Sequence, residues 1–224
     1  MKKGIVLFSL FVLPIVVYLF FASGVNNFIS LPVITNSIPE IIDLQDNEVQ
    51  KVQLQDKITI LGFPGQAILK NKGNLFNFNQ KIYNKYKELN DFQVVFILPK
   101  GLENDVAQLK KELYQLTDFS RYFFVYAEPA EIQAYYKKLG LIGNLDAEFG
   151  TTNVYIVDKN RNLRGRKGHN KKGEPEYKEG YNTISAAELH NEMSDDFKIL
   201  VYEYRSAFKK NKVTRKSINQ QNEK

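Results

Sequence analysis

His169 and His190 are the only imidazoles in this 224-residue chain, and there is no cysteine. Zero cysteines excludes disulfides, thiol nucleophiles, thiolate metal sites and iron–sulfur clusters. A helical metal site needs a second ligand one turn away on the same face. Neither histidine has one, so structural or surface roles fit both, and no resident cofactor or metal is expected. Glu192, Asp195 and Asp196 offer carboxylates of the kind hydrolases and metal sites use, but adjacent acids on a helix face are ordinarily solvated. Arg161, Arg164, Arg166 and Lys167, continued by Lys171 and Lys172 with Tyr177 and Tyr181 nearby, form a basic segment. Such a segment suits acidic partners, lipid headgroups or plain solvent. Gly165-Arg166-Lys167-Gly168 lacks the strand-to-helix turn of a phosphate loop and reads as hairpin chemistry.

The elements that must position these residues follow from periodicity. The run 57–63 (KITILGF) is the first clear core strand, stopped by Pro64 and Gly65. Residues 75–89 place Leu75, Phe78, Ile82, Tyr86 and Leu89 on one helical face. The near-continuous apolar run 92–98 (FQVVFIL) is a strand buried on both faces. A second amphipathic helix covers 104–116, a short aromatic strand 122–126, and a helix 129–139 that Gly140 closes. Residues 153–158 and 163–166 flank a polar turn and predict a β-hairpin. A Gly-, Lys- and Glu-rich loop is expected over 168–180. The last helix starts at Ser185 with Glu188 three residues on, a capping box, and carries Leu189, Met193, Phe197, Leu200, Tyr204 and Phe208 as its stripe. Ahead of all this, 40–44 and 49–54 suggest a short β-hairpin. The order is that of an α/β, thioredoxin-like mixed sheet flanked by helices, with right-handed crossovers making the first two core strands parallel.

Lys2 and Lys3 precede an apolar run from Ile5 to Ala22, interrupted only by Ser9, Pro14 and Tyr18. A helix over 4–24 is roughly 30 Å long, enough to cross the hydrocarbon core. The run is longer than the core of a usual signal peptide, so one retained N-terminal transmembrane helix is expected. The lysines flank its first end and no basic residue follows until Lys51, which puts the N-terminus in the cytoplasm and the domain outside. The expected organisation is 1–3 cytoplasmic, 4–24 anchor, 25–47 juxtamembrane linker, 48–211 domain and 212–224 polar basic tail. That is a single-pass protein of the inner membrane with its domain in the periplasm, where nucleic acid is not a partner. Much of the net charge of +6 comes from Lys209, Lys210, Lys212, Arg215 and Lys216, a group that reads as a solvated end or as a contact for anionic lipid.

Read along its whole length, the chain resembles a membrane-anchored member of the Sco/SenC family of the Bacteroidetes type. The matching segments are Leu31-Pro32-Val33 after the anchor, Pro39-Glu40-Ile41, the core strand ending at Phe63, and the hairpin Tyr155-Ile156-Val157-Asp158 with 160–163. The resemblance implies a thioredoxin-like fold in the cell envelope and a possible partner among envelope or respiratory-complex proteins, as in cytochrome oxidase assembly. It also locates the family's active loop at 64–70, where members carry a Cys-x-x-x-Cys pair that binds copper or forms a disulfide. Here that loop holds Pro64, Gly65, Gln66, Ala67, Ile68 and Lys70 without a thiol. The window 144–152, which matches the family's histidine ligand, has no histidine. The resemblance therefore implies fold and location and argues against the activity. A non-catalytic binding or assembly factor is expected, with a thiol-independent enzyme or a weak metal carrier using His169, His190 or Met193 as the alternatives.

Overall fold

Six of the seven residues of strand β2 (Ile58–Pro64) are buried, because the strand lies at the centre of a sheet covered on both faces. The computed structural model describes residues 2–22, 30–41, 52–170 and 172–206. Helix α2 follows β2 as Lys72–Phe78, passes through a π-helical turn at Asn79–Tyr83 and ends at Asn84–Tyr86. It returns the chain to β3 (Phe92–Pro99), parallel to β2 and buried throughout. Helix α3 (Glu103–Leu113) leads to β4 (Tyr122–Ala127), parallel to β3. Helix α4 (Pro129–Lys138) crosses the opposite face; Pro129 opens it, a reciprocal cap between Glu128 and Glu131 holds its first turn, and Gly140 at φ +66° ends it.

Strand β5 (Gly150–Val157) then runs antiparallel along the free side of β2 and turns into β6 (Leu163–Arg164). The Asp158 carboxylate accepts the backbone N–H groups of Asn160 and Asn162, and Arg161 takes φ +61°, so the polar 158–162 segment makes the expected hairpin turn. Strand β1 (Val33–Thr35) closes the edge beside β6, and β9 (Tyr181–Asn182) pairs with the first half of β5. The sheet order is β1-β6-β5-β2-β3-β4. A central strand with a helix-crossed parallel partner on one side and an antiparallel hairpin on the other, covered by a C-terminal helix, is the thioredoxin-like arrangement. That helix, α5, begins at Ala186–Glu188, passes a π turn at Leu189–Met193 and continues over 194–206.

Pleat alternation divides the core. Ile58, Ile60, Val94, Phe96, Val154 and Ile156 face α2, α3 and α5. Leu61, Phe63, Val95, Ile97, Tyr155 and Val157 face α4 and the segment around Ile38 and Leu54.

Two expectations are corrected. The fold starts near residue 30 and not at 48: Leu31, Ile38 and Ile41 are buried, inside what reads as linker. The expected first hairpin, 40–44 with 49–54, falls largely on 42–51, which lie outside the described residues. Val52 and Leu54 are buried, and Glu40 accepts the N–H groups of Leu54 and Gln55 at 2.7 and 2.8 Å. The 168–180 loop is largely a two-stranded hairpin, β7 (Arg166–His169) with β8 (Pro175–Lys178). Its side chains are mostly exposed, so no apolar alternation announces it in the sequence.

The apolar N-terminal run forms α1 (Lys2–Ala22), 21 residues long with Pro14 inside. Phe8, Leu10, Phe11, Leu13 and Leu19 stand exposed on it. Only part of its side chains are described, and among the described residues no helix is long and apolar enough to cross a membrane. The tail 212–224 lies outside the described residues.

Candidate functional site

The loop leaving β2 is shaped by two glycines. Gly65 has φ +69°, and a Cβ there would stand 2.7 Å from both the Glu148 carbonyl oxygen and the Gly150 Cα. Both obstacles are backbone, so the position needs glycine for its φ and for its space. Gln66 donates its backbone N–H to the Glu148 carbonyl at 2.9 Å, tying the loop to the turn that enters β5. The Asp146 carboxylate organises that turn by accepting the N–H groups of Glu148 and Gly150 at 2.9 and 2.8 Å. Sequence reasoning named Gly65 but missed Gly150, whose signal was a second glycine at the head of the partner strand.

The residues named for the loop separate by environment. Ile68 is 4% exposed and belongs to the core under α2. Gln66 and Lys70 are exposed, and Ala67 is half-buried between them. Ala67 and Ile68 are therefore not one apolar surface; only Ala67 is available to a partner.

Beside the loop lies a small cleft of about 70 Å³, with Ile68, Phe78, Phe96 and Val154 among its apolar wall. Its polar rim is Asn71, Asn74, Asp146, Thr151, Thr152, Asn153 and Thr183. Thr183 donates its hydroxyl to the Thr152 carbonyl at 2.7 Å, and Asn77 bridges to the carbonyls of Thr183 and Ile184. Asp146 is the one titratable residue on that rim. The arrangement can hold a neutral, hydrogen-bonding group against an apolar wall. It offers no nucleophile–base pair.

The basic segment divides by environment. The Arg164 guanidinium is 7% exposed and bonds Asp158 at 2.8 Å and Glu203 at 2.7 Å. Burial pulls its pKa down, but the hydrogen bonds it donates to those two carboxylates outweigh this and raise it overall. Arg166 bonds Asp196 at 2.7 Å and Glu176 at 3.0 Å, and its net shift is likewise upward. Arg161 lies 4.0 Å from Glu40. Lys167 is exposed on β7, and Lys171 lies outside the described residues. Charge spent on internal partners is not free to recruit others.

Asp196 also departs from expectation. It is 4% exposed, not solvated, and accepts the Tyr181 hydroxyl at 2.7 Å. Burial, then the Asp196 charge, pushes the Tyr181 phenol well up. His169 and His190 are exposed, whereas Met193 is fully buried in the core. Among the described residues no three His, Asp or Glu side chains stand together as a metal site would need.

No protein-family model matches the chain, and no curated protein matches it. Solved structures do. BsSco, described as a member of the Sco family of cytochrome c oxidase assembly proteins, aligns at 12% identity and TM-score 0.49, over 76% of this chain and 97% of its own. The apo Sco1 protein from Thermus thermophilus aligns at 13% identity and TM-score 0.46, over 77% of this chain and 94% of its own. A SCO1/SenC family lipoprotein from Bacillus anthracis str. Ames aligns at 15% identity and TM-score 0.44, over 79% and 98%. The thioredoxin-like class of this chain follows from its own strand order and crossovers.

Proposed function

We propose that this chain is a Sco-like, membrane-anchored binding domain of the cell envelope that works without thiol or copper chemistry. It would position a partner, in keeping with the respiratory-assembly role that the sequence resemblance implies. One observation carries the reading. The loop after β2 has a sharp Gly65 turn against Gly150, yet presents Gln66, Ala67 and Lys70 beside a cleft rimmed by amides, hydroxyls and the Asp146 carboxylate. Such a surface suits recognition more than catalysis. The anchor is supported by the apolar run from Ile5 to Ala22 in the sequence; the lysine asymmetry around it supports an outward-facing domain.

Affinity capture from detergent-solubilised membranes tests this, with wild type and Ala67→Glu compared and a thermal melt run on each. Lost capture with an unchanged melt is the expected result, and undiminished capture overturns the recognition role of the loop. Titration with Cu(I) is expected to reveal no stoichiometric tight site. A second reading, a thiol-independent enzyme, is favoured only by the convergence of amides and hydroxyls around Asp146. An activity abolished by Asp146→Asn in a folded protein would establish it.

A further inference from the structure

The sheet ends on one side at β4, which pairs with β3 and with no other strand among the described residues. The Val94 N–H reaches the Arg121 carbonyl, and the Lys100 N–H reaches the Ala127 carbonyl. The odd-numbered residues of β4 therefore turn their backbone groups toward β3, and Tyr122, Phe124 and Tyr126 turn theirs outward. The Tyr122 N–H is used locally, by the Phe119 carbonyl at 3.0 Å. Phe124 and Tyr126 each keep a donor and an acceptor facing out along the edge.

Open edges are usually blunted by a charge, a proline or a bulge in the strand itself. The strand β4 reads YFFVYA, without charge or proline, and its register with β3 is unbroken. The charges stand beside it, on α3. Lys110 Nζ lies over the Phe124 ring, 4.6 Å from its centroid. Glu103, at the other end of α3, stands by Tyr126: burial and then the Glu103 charge push that phenol up. Neither Lys110 nor Glu103 makes an ion pair among the described residues.

We infer that two copies of this chain associate through β4, edge to edge and antiparallel about a two-fold axis at Val125, so that their sheets join into one. The inference goes beyond the binding reading above and does not depend on it. In this register Phe124 stands opposite the partner's Tyr126, and Tyr126 opposite the partner's Phe124. Both are hydrogen-bonded pairs, so the free donors and acceptors of one copy are met by those of the other. The same operation carries Lys110, above Phe124, toward the partner's Glu103, beside Tyr126. Facing aromatic rings and opposite charges both favour such a pairing. An unrelated extended peptide could satisfy the backbone groups. Only a second copy also returns rings and charges in matching order.

A chain without cysteine allows a test of the register itself. Across the axis Val125 faces its own counterpart in a non-hydrogen-bonded pair, with Cα atoms about 4.5 Å apart, a spacing that a disulfide bridges. Phe123 is displaced from its counterpart by four residues, about 13 Å along the strand. Under a thiol oxidant in detergent, full-length Val125→Cys is expected to form a covalent dimer and Phe123→Cys to stay monomeric. Two differently tagged copies of the unmodified chain are expected to co-purify. Tyr126→Pro removes an outward N–H and leaves the bonds to β3 in place. The two-fold uses that N–H twice, so co-purification should fall about tenfold or more. Lys110→Glu should lower it several-fold, and adding Glu103→Lys should restore it. A thermal melt of each variant establishes that it folds, and the charge exchange decides the matter if Tyr126→Pro does not. Co-purification that survives Tyr126→Pro in a folded chain places the contact elsewhere, α1 included, and overturns the inference. So do unmodified copies that do not co-purify, equal cross-linking at 123 and 125, or a charge exchange that fails to restore.

Discussion

The cleft and the clamp that Arg164 forms with Asp158 and Glu203 are built from opposite materials. Around the cleft the rim is amides and hydroxyls, with Asp146 the single titratable group. Asn71 and Asn74 there make no side-chain hydrogen bond to any described residue. At the clamp, Arg164, Asp158 and Glu203 are closed in on one another, with Asp158 only 1% exposed. The arginines and carboxylates that look most like chemistry in the sequence thus serve the fold, and the uncharged residues that look like loop filler face the open cleft. Desolvated charge is costly unless fully paired, so a buried ion network is retained by its partners; an amide rim can stay unsatisfied because water serves it.

The sharpest way to break that contrast is to remove Arg164. Arg164→Ala leaves Asp158 buried without its partner and frees the Leu31 carbonyl and Glu203, which Arg164 also bonds. Loss of one member of a buried pair costs about 3–5 kcal/mol. Denaturant unfolding monitored by circular dichroism should show this, whereas Asn74→Ala at the cleft rim should stay within about 0.5 kcal/mol. Comparable losses at the two sites would erase the distinction. Next in size is Ile68→Glu, which buries an unpaired carboxylate and should cost about 2–4 kcal/mol. Ala67→Glu, one residue earlier and half-buried, should leave the midpoint nearly unchanged.

Why the sequence told so much of one region and so little of the other is physical. Strands β2, β3 and β5 and helices α2 to α5 were legible because buried apolar residues repeat at two or at three to four residues. The 158–162 turn was legible because Asp and Asn advertise side-chain-to-backbone bonds. Strand β1 was not, since three half-buried residues carry no period. Nor was the fate of Arg164 or Asp196: a charge's partner lies far along the chain, as with Glu203, and no local rule supplies it. Two of the named loop residues, Ala67 and Ile68, looked alike in sequence and part company only because the turn after Gly65 aims Ile68 beneath α2. The cleft rim gathers from 71–74, 146–153 and 183, three stretches joined by topology alone.

The glycine contact tests whether the cleft end is as tightly built as the clamp end. Gly65→Ala sets a Cβ against fixed backbone at 2.7 Å and holds a non-glycine residue at φ +69°. A cost of about 1–3 kcal/mol is expected. Gly150→Ala, where the nearest atoms stand at 3.0 Å, should cost less. A neutral Gly65→Ala would mean that the loop relaxes freely and that its shape is not fixed by this contact.

The smallest effect at neutral pH, and one that samples both ends of the sheet, is the alkaline response of the tyrosines. Tyr126 closes β4 and Tyr204 lies at the clamp end of α5. Burial, joined by the Glu103 charge for Tyr126 and the Asp158 charge for Tyr204, pushes each phenol up to about 12. The ordinary phenol value is near 10. A raised folded-state pKa means that the folded protein holds its proton longer than the unfolded chain does. The associated stability is fully present below pH 10 and is lost as pH rises from 10 to 12. Unfolding midpoints should therefore be level up to about pH 9.5 and fall beyond it, with phenolate absorbance near 295 nm lagging that of free tyrosine. Lysines titrate in the same range and their ion pairs weaken too, so the phenol contribution is isolated by Tyr204→Phe and Tyr126→Phe. Each should flatten the decline slightly without moving the neutral-pH midpoint by more than the loss of one hydroxyl. Tyr204→Phe should act more strongly if the clamp end is the more tightly closed of the two. An equal or larger effect from Tyr126→Phe would place the closed environment at the other end of the sheet.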